Sequence, residues 1–366
     1  MSDLNAPAIH KPWSMSSGFL MGPVYDNILI FGVMLLSLLS GILVFINPEL
    51  FLIVFLLDVW LLGYHHVIST FTKLAGTPED RAENKFLIYQ LPFLVLGGTA
   101  ALFFAFGIWA IVTVYFFWQW YHYTRQGYGI AVFYRKKSGI KASATPQNLE
   151  HAAIWAIPIW GIMHRCSQQW DQFLFLPFWT PAIPFEISAL AGAVAVLVVA
   201  FWLITKFVDF ARGQLAYGSF FFMLSHQIIF LTGYILMPDI NIGWLVANIW
   251  HNTQYILFVW LFNKNRFDQD NPRAPKKSKA RIMPWISQPH PYRVMAYFAV
   301  CLLLTSIFYG TLSSSIKLIS AGDVAIMTGA MVVIYQTINF HHYIVDSLIW
   351  KARKKSNQQV MKINND

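Results

Sequence analysis

The sequence predicts an all-α fold, a polytopic bundle of membrane-spanning helices. Three observations carry that reading. Of the 366 residues, 57% are apolar and only 12% charged, about half the charge of a soluble domain. The apolar residues gather into ten long runs. The basic residues fall between those runs almost entirely on one side. The composition excludes a disordered chain and a nucleic-acid partner, and argues against a soluble enzyme. Cys166 and Cys301 are the only cysteines, too few for a disulfide framework. The first 21 residues lack a charged segment, short apolar run and small-residue cleavage site in succession, so no removable signal is read.

The runs cover residues 23–46, 49–72, 86–106, 107–134, 149–166, 187–210, 216–237, 240–263, 292–313 and 322–350. Most reach the roughly 20 residues that cross a bilayer as a helix. The third and fourth meet at Phe106-Gly107, which predicts a tight helical hairpin. The fifth is short and carries Pro158, so it either spans or re-enters. About ten segments, nine or ten of them spanning, form a single domain over residues 1–366.

If the N-terminus is cytoplasmic and every run crosses, 24 of the 26 Lys and Arg lie on the inner side, leaving only Arg165 and Lys317 outside. That asymmetry is what membrane insertion selects. It places both termini, the Pro-rich basic loop 263–289 and the basic tail 351–366 in the cytoplasm. The loop faces anionic lipid head groups. The expected location is a bacterial inner membrane.

The histidines point to the chemistry. Nine of eleven sit in apolar runs, where ionisable groups are costly and usually functional. Counted from the inner ends at about 1.5 Å per residue, seven share one layer in the cytoplasmic half: His65, His66, His122, His226, His251, His341 and His342. Packed imidazoles without a metal leave buried nitrogens unpaired, at a cost of about 1–3 kcal/mol each. The seven are therefore candidate metal ligands, with Asp346, one turn after His342, as the carboxylate. Gln126 follows His122 by one turn, and Gln254 and Tyr255 lie on the face of His251. These three, with Asp58, are candidates for orienting the ligands. Trp118, Tyr121, Trp250 and Tyr343 are candidate linings for an apolar substrate. No residue is assigned a catalytic role beyond metal binding.

No cysteine or methionine recurs beside these histidines, which disfavours copper(I) and iron–sulfur chemistry. Histidine with one or two carboxylates suits iron or zinc. Seven histidines at one depth are too many for a haem. In layout the chain resembles the integral-membrane multi-histidine non-haem iron enzymes, the fatty-acid desaturases, hydroxylases and alkane monooxygenases. More loosely, it is similar to the Brp/Blh-type β-carotene dioxygenases. Tyr64-His65-His66 and Phe340-His341-His342 are bare pairs where the former carry HxxxH or HxxHH boxes, and the latter's His-Gly-x-x-Asp is not at His65-His66. The resemblance implies an oxidoreductase holding one or two iron ions, with zinc as the alternative. Its partners would be O2, an electron donor at the cytoplasmic face and a lipid-like or polyene substrate. A metal-ion or proton transporter, a zinc hydrolase and an assembly protein are the competing classes.

The charge asymmetry is tested by cysteine labelling at Ser278 and Ser356. Both positions should be shielded from a membrane-impermeant maleimide in intact cells and react after permeabilisation. Labelling of either from outside would invert the topology.

Overall fold

The computed structural model describes residues 18–141, 143–268 and 282–363. His10, Lys11, most of the basic loop (269–281) and the last three residues lie outside them. Each of the ten apolar runs forms a long helix: α1 (Pro23–Ile46), α2 (Pro48–Leu74), α3 (Leu91–Phe106), α4 (Ile108–Ser138), α5 (Gln147–Ser167), α6 (Phe185–Ala211), α7 (Tyr217–Leu236), α8 (Ile240–Arg266), α9 (Pro291–Ile319) and α10 (Val324–Ile349). A two-residue-per-strand hairpin, β1 (Gln172–Phe173) and β2 (Leu176–Pro177), pairs antiparallel between α5 and α6. A short helix, α11 (Lys355–Val360), follows α10.

Among the described residues, six helices, α1, α2, α6, α7, α9 and α10, are long and apolar enough to cross a membrane. The chain is therefore an integral membrane protein. Fewer helices meet that standard than the nine or ten spans expected. The physical reason is placement. Helices α4 and α8 have 31 and 27 residues, but they run through the interior and carry polar side chains there. In α8, 22 of the 27 residues are buried, which makes it the central strut. Lipid-facing helices show the opposite pattern: Leu39 and Leu43 on α1, Leu197 and Phe207 on α6, and Leu303 and Ile307 on α9 are all exposed.

Backbone details fix the joints. Gly107, at φ +86°, separates α3 from α4 and makes the expected hairpin. The Asp239 and Asp323 side chains accept backbone N–H groups at the starts of α8 and α10. Helix α2 contains a π-helical turn, Asp58–Gly63, just before its histidine pair. Such turns shift the register of the side chains that follow and recur at functional sites.

Pro158 does not break α5, which is helical from Gln147 to Ser167. A proline removes the N–H that would serve the carbonyl four residues back, here that of Ile154. His226 Nε2 on α7 donates to that carbonyl at 3.1 Å, and Gln227 Nε2 donates to the next one, Ala153, at 2.6 Å. The defect is repaired across helices, which in a membrane is the only remedy short of water.

Helices α2, α4, α8 and α10 all end at one basic end of the bundle, marked by Lys73, Arg135, Lys264 and Lys351. The C-terminal tail folds back there. Asn357 takes a hydrogen bond from Lys73 Nζ at 2.7 Å and donates to the carbonyls of Ile349 and Lys351. Val360, Met361 and Ile363 are buried. Described up to residue 363, the tail is thus a docked plug rather than a solvated arm.

His226→Leu should lower the thermal stability of the detergent-solubilised protein by about 1–3 kcal/mol, the cost of an orphaned buried carbonyl. In a Pro158→Ala background, where an N–H returns to Ile154, the same change should cost clearly less. Equal costs in both backgrounds would show that the His226 bond does not serve the proline defect.

Candidate metal centre

Four of the seven candidate histidines meet in one place and three do not. His66 from α2, His122 from α4, His251 from α8 and His342 from α10 form a ring of imidazoles. Successive ring centroids stand 4.6 Å (His66–His342), 5.2 Å (His342–His122), 4.9 Å (His122–His251) and 5.3 Å (His251–His66) apart, each pair steeply inclined. Asp346 joins them, its Oδ2 lying 3.4 Å from His342 Nε2 and 4.0 Å from His122 Nε2. Two overlapping ligand groups result, His66–His251–His342 and His122–His342–Asp346, each with its ligand atoms within 4.8 Å of one another. All five residues are buried.

Each of the other three histidines bonds a backbone carbonyl through one ring nitrogen. His226 serves Ile154, as described. His65 Nδ1 bonds the carbonyl of Leu61 at 3.2 Å and its ring packs edge-on against Phe298. His341 Nε2 bonds the carbonyl of Leu87 at 2.7 Å, at the break between the short helix Lys85–Tyr89 and α3. Adjacent residues on a helix point about 100° apart, so in each pair only the second histidine, His66 or His342, faces the centre. His65, His226 and His341 thus lie outside the two groups, although His65 Nε2 and His226 Nδ1 are also buried without a partner.

The proton positions around the centre follow from its partners. A carbonyl can only accept, so His66 Nδ1, 2.6 Å from the Gly63 carbonyl, carries the proton. Tyr255 donates its one proton to Asp346 Oδ1 at 2.7 Å and accepts from Trp350 Nε1 at 2.8 Å. Its contact with Thr70 at 2.8 Å is therefore donated by Thr70. Thr70, its proton committed, accepts from His342 Nδ1 at 3.0 Å. In that arrangement both His66 and His342 carry lone pairs on Nε2, and these two nitrogens face each other at 3.0 Å, a distance at which they share either one proton or one metal ion. Nitrogens bound at about 2.1 Å to one ion stand about 3.0 Å apart at a right angle and about 3.4 Å at the tetrahedral angle.

The remaining ligand atoms are equally unsatisfied. His122 Nε2, both ring nitrogens of His251 and Asp346 Oδ2 are buried and have no hydrogen-bond partner. A carboxylate buried in a membrane without a cation is costly. Neutral imidazoles and one carboxylate, all with lone pairs free, form a donor set that can hold iron or zinc. The aromatic packing seals it: Tyr123 stacks on His251 at 3.9 Å and Tyr343 on His122 at 4.3 Å.

Among the residues expected to orient the ligands, Tyr255 does so directly. Asp58 does not reach a histidine. It accepts from Asn248 Nδ2 at 2.5 Å and Asn252 Nδ2 at 3.4 Å, both on α8. Tyr123 O–H also bonds Asn248, so Asp58 acts through Asn248 on the ring that covers His251. The amides of Gln126 and Gln254 hydrogen-bond neither histidine; all four of their polar atoms are buried without a partner. Of the expected linings, Tyr343 and Trp118 flank the centre, Trp118 stacking on Phe340 and lying 5.9 Å from Tyr343. Tyr121 instead faces outward, 39% exposed, taking a bond from Arg125. Trp250 is buried against His226 and Phe230. Two apolar grooves of about 660 Å³ run along α5 and α6, one lined by Trp155, Met163 and Val194 and the other by Trp160, Phe185 and Leu197. His151 lines the first and His164 the second, but neither groove borders the four clustered histidines.

Thr70, Tyr123, Asn248 and Asn252 were missed by sequence reasoning. Thr70 carried a signal, standing one turn after His66. The others had none, because their roles arise from contacts between helices.

Comparison with family models, with curated proteins and with solved structures found no match for this chain. The resemblance to multi-histidine oxygenases therefore rests on layout and donor set.

Alanine at His66, His122, His251 or His342 should each abolish stoichiometric metal in the purified protein, measured by plasma mass spectrometry. Alanine at His65 or His341 should leave it unchanged. Tyr255→Phe, which frees Asp346 and Thr70 from their ordered bonds, should weaken metal affinity about 10–100-fold. Equal metal loss across all six histidine variants would point to general unfolding instead.

Proposed function

We propose that this chain is a membrane-embedded, metal-dependent oxygenase, hydroxylase or desaturase that acts on an apolar, lipid-like substrate. The observation that supports it most is the inward convergence of ligand atoms from His66, His122, His251, His342 and Asp346, several of them without a hydrogen-bond partner. Iron is the metal this reading favours, because nitrogen-rich ligation with one carboxylate suits it. Bound there, iron would supply the binding and activation of O2.

The chain's own residues do the rest. Tyr255 and Thr70 hold His342 and Asp346 in one proton arrangement. Tyr123 and Tyr343 keep water from two of the imidazole faces, which protects reactive oxygen chemistry from side reactions. The basic end is the proposed cytoplasmic face, in keeping with the charge asymmetry. The same cations would attract anionic lipid and an acidic electron donor. A bacterial inner membrane is the setting that fits this orientation.

The second reading is a transporter that uses the same histidines as a metal or proton path. The far end of the bundle argues against it. The polar network beyond the centre runs from Asp58 through Asn248 and Gln119 to Trp244 and Tyr115. There it stops beneath Phe116, Phe173 and Phe178, rings in mutual contact and all buried. An aromatic lid of that kind offers no hydrated exit.

The deciding measurement is metal content joined to oxygen uptake. Purified protein should retain iron and, with a chemical reductant and membrane lipid extract, consume O2 in proportion to that iron. His251→Ala should do neither. Metal flux across sealed vesicles without O2 consumption would replace the oxygenase with the transporter.

A further inference from the structure

Helices α2, α4, α8 and α10 all run toward the basic end, so residues one turn after the ligands share the next layer. That layer holds Gln126 after His122, Gln254 after His251 and Asp346 after His342. Gln254 is fully buried, and neither its Oε1 nor its Nε2 has a partner. Both polar atoms of Gln126 are likewise buried and unpartnered. Leaving such groups unmet is costly, and together the two amides present two donor groups and two acceptors.

The adjoining wall has the same character. Gly127 allows His226 to approach α4 so closely that a Cβ there would stand 2.8 Å from His226 Nδ1. Since His226 Nε2 donates to Ile154, that Nδ1 carries a lone pair, and it too has no partner. Trp250 Nε1, beside it, is a donor without an acceptor. The unmet groups are all neutral. Arg125, the basic residue nearest in sequence, is exposed and bonded to Tyr121.

We propose that Gln126 and Gln254 form a recognition pocket for the neutral, hydrogen-bonding end of the substrate, a hydroxyl or carbonyl on an otherwise apolar chain. This inference rests on the oxygenase reading for the word substrate, and on the geometry alone for the pocket. A carboxylate or phosphate is disfavoured, because Asp346 stands in the same layer and the nearby cations are already engaged, Lys73 over Trp350 and Phe262 with a bond to Asn357, and Arg125 with Tyr121. A plain hydrocarbon is disfavoured, because it leaves both amides unmet. The substrate class is then a long-chain alcohol, aldehyde or ketone rather than an alkane or a free fatty acid. Its polar end would sit on the basic side of the metal ligands, with the chain extending past the aromatic residues around them.

The test uses the full chain in phosphatidylcholine vesicles and three radiolabelled probes of equal length, hexadecanol, hexadecanoate and hexadecane. Binding is corrected for uptake by protein-free vesicles. Hexadecanol should bind at least about tenfold more tightly than either of the others, the worth of a buried neutral hydrogen bond or two. Gln254→Leu and Gln126→Leu should each bring the alcohol to within about twofold of the alkane while bound metal stays constant. If Gln254→Leu does not fold, Gln254→Met, unbranched and similar in length, takes its place. Equal binding of the three probes by the unaltered protein would overturn the proposal and leave the amides as water sites. So would an alcohol preference that survives both substitutions. Metal is assayed on the same samples. Metal present with no preference defeats the pocket alone, whereas a preference without metal defeats the oxygenase reading alone.

Discussion

The structure depends on one constraint: within a membrane, a polar atom that lacks a protein partner has almost nowhere else to turn. Most of the buried polar groups in this bundle answer it in pairs. The Ile154 carbonyl, released by Pro158, is met by His226. Asp58 is met by two asparagines of α8. Arg165, buried between α5 and the end of α7, is met by the carbonyls of Gly233, Met237 and Pro238. Glu150 is met by Arg135 and Lys206, each at 2.6 Å. Against that background, the four imidazoles and Asp346 stand out because their free atoms point at one another. The 3.0 Å approach of His66 Nε2 to His342 Nε2 is not a packing accident, since each ring is held by a hydrogen bond on its far side.

This constraint also explains what could be read in the sequence. The ten helices were legible to within a few residues, because apolar runs are long and the breaks fall at Gly, Pro and charged residues. The layer of histidines was legible too, since depth along a helix is simple arithmetic. Which histidines face inward was not. His65 and His66 occupy nearly the same depth and differ only in rotation, and the π-helical turn at Asp58–Gly63 alters that rotation just before them. No sequence pattern announced that turn. The bond of His226 was illegible for a different reason. Its partner is a carbonyl 72 residues away, and a backbone acceptor leaves no mark on composition. The interior position of α4 and α8 was not legible from their length, whereas their polarity is the sign that they lie inside.

Helix α8 shows how fold and site are one design. A helix that touches lipid nowhere along most of its length is free to carry asparagine, histidine and glutamine at membrane depth. Asn248, His251, Asn252, Gln254 and Tyr255 occupy two consecutive turns, flanked by Trp244 and Trp250. Its neighbours α1, α2 and α7 supply the apolar cover. At one point that cover becomes a direct backbone contact: Ser37 on α1 donates to the Val246 carbonyl. Enclosing the central strut in this way excludes water from the polar turns and keeps electrostatic interactions there strong.

The two ends of the polar interior are built differently, and the difference bears on direction of access. Toward the far end, each polar group hands on to another until the chain terminates at Trp244 and Tyr115 under a lid of phenylalanines. That side is closed by aromatic rings. Toward the basic end, the groups beyond the ligands are not saturated, and the plug over them is made from a different kind of contact. Lys73 lies 3.8 Å over the ring of Trp350 and 3.9 Å over Phe262, and bonds Asn357 of the docked tail. Trp350 in turn bonds Tyr255, which bonds Asp346. A continuous line of hydrogen bonds and one cation–π contact therefore joins the tail at the surface to a candidate ligand of the centre. Moving the tail would release Lys73, loosen Trp350 and remove a donor from the tyrosine that fixes Asp346, so the geometry of the ligand set and the closure of its basic side are set by the same few contacts.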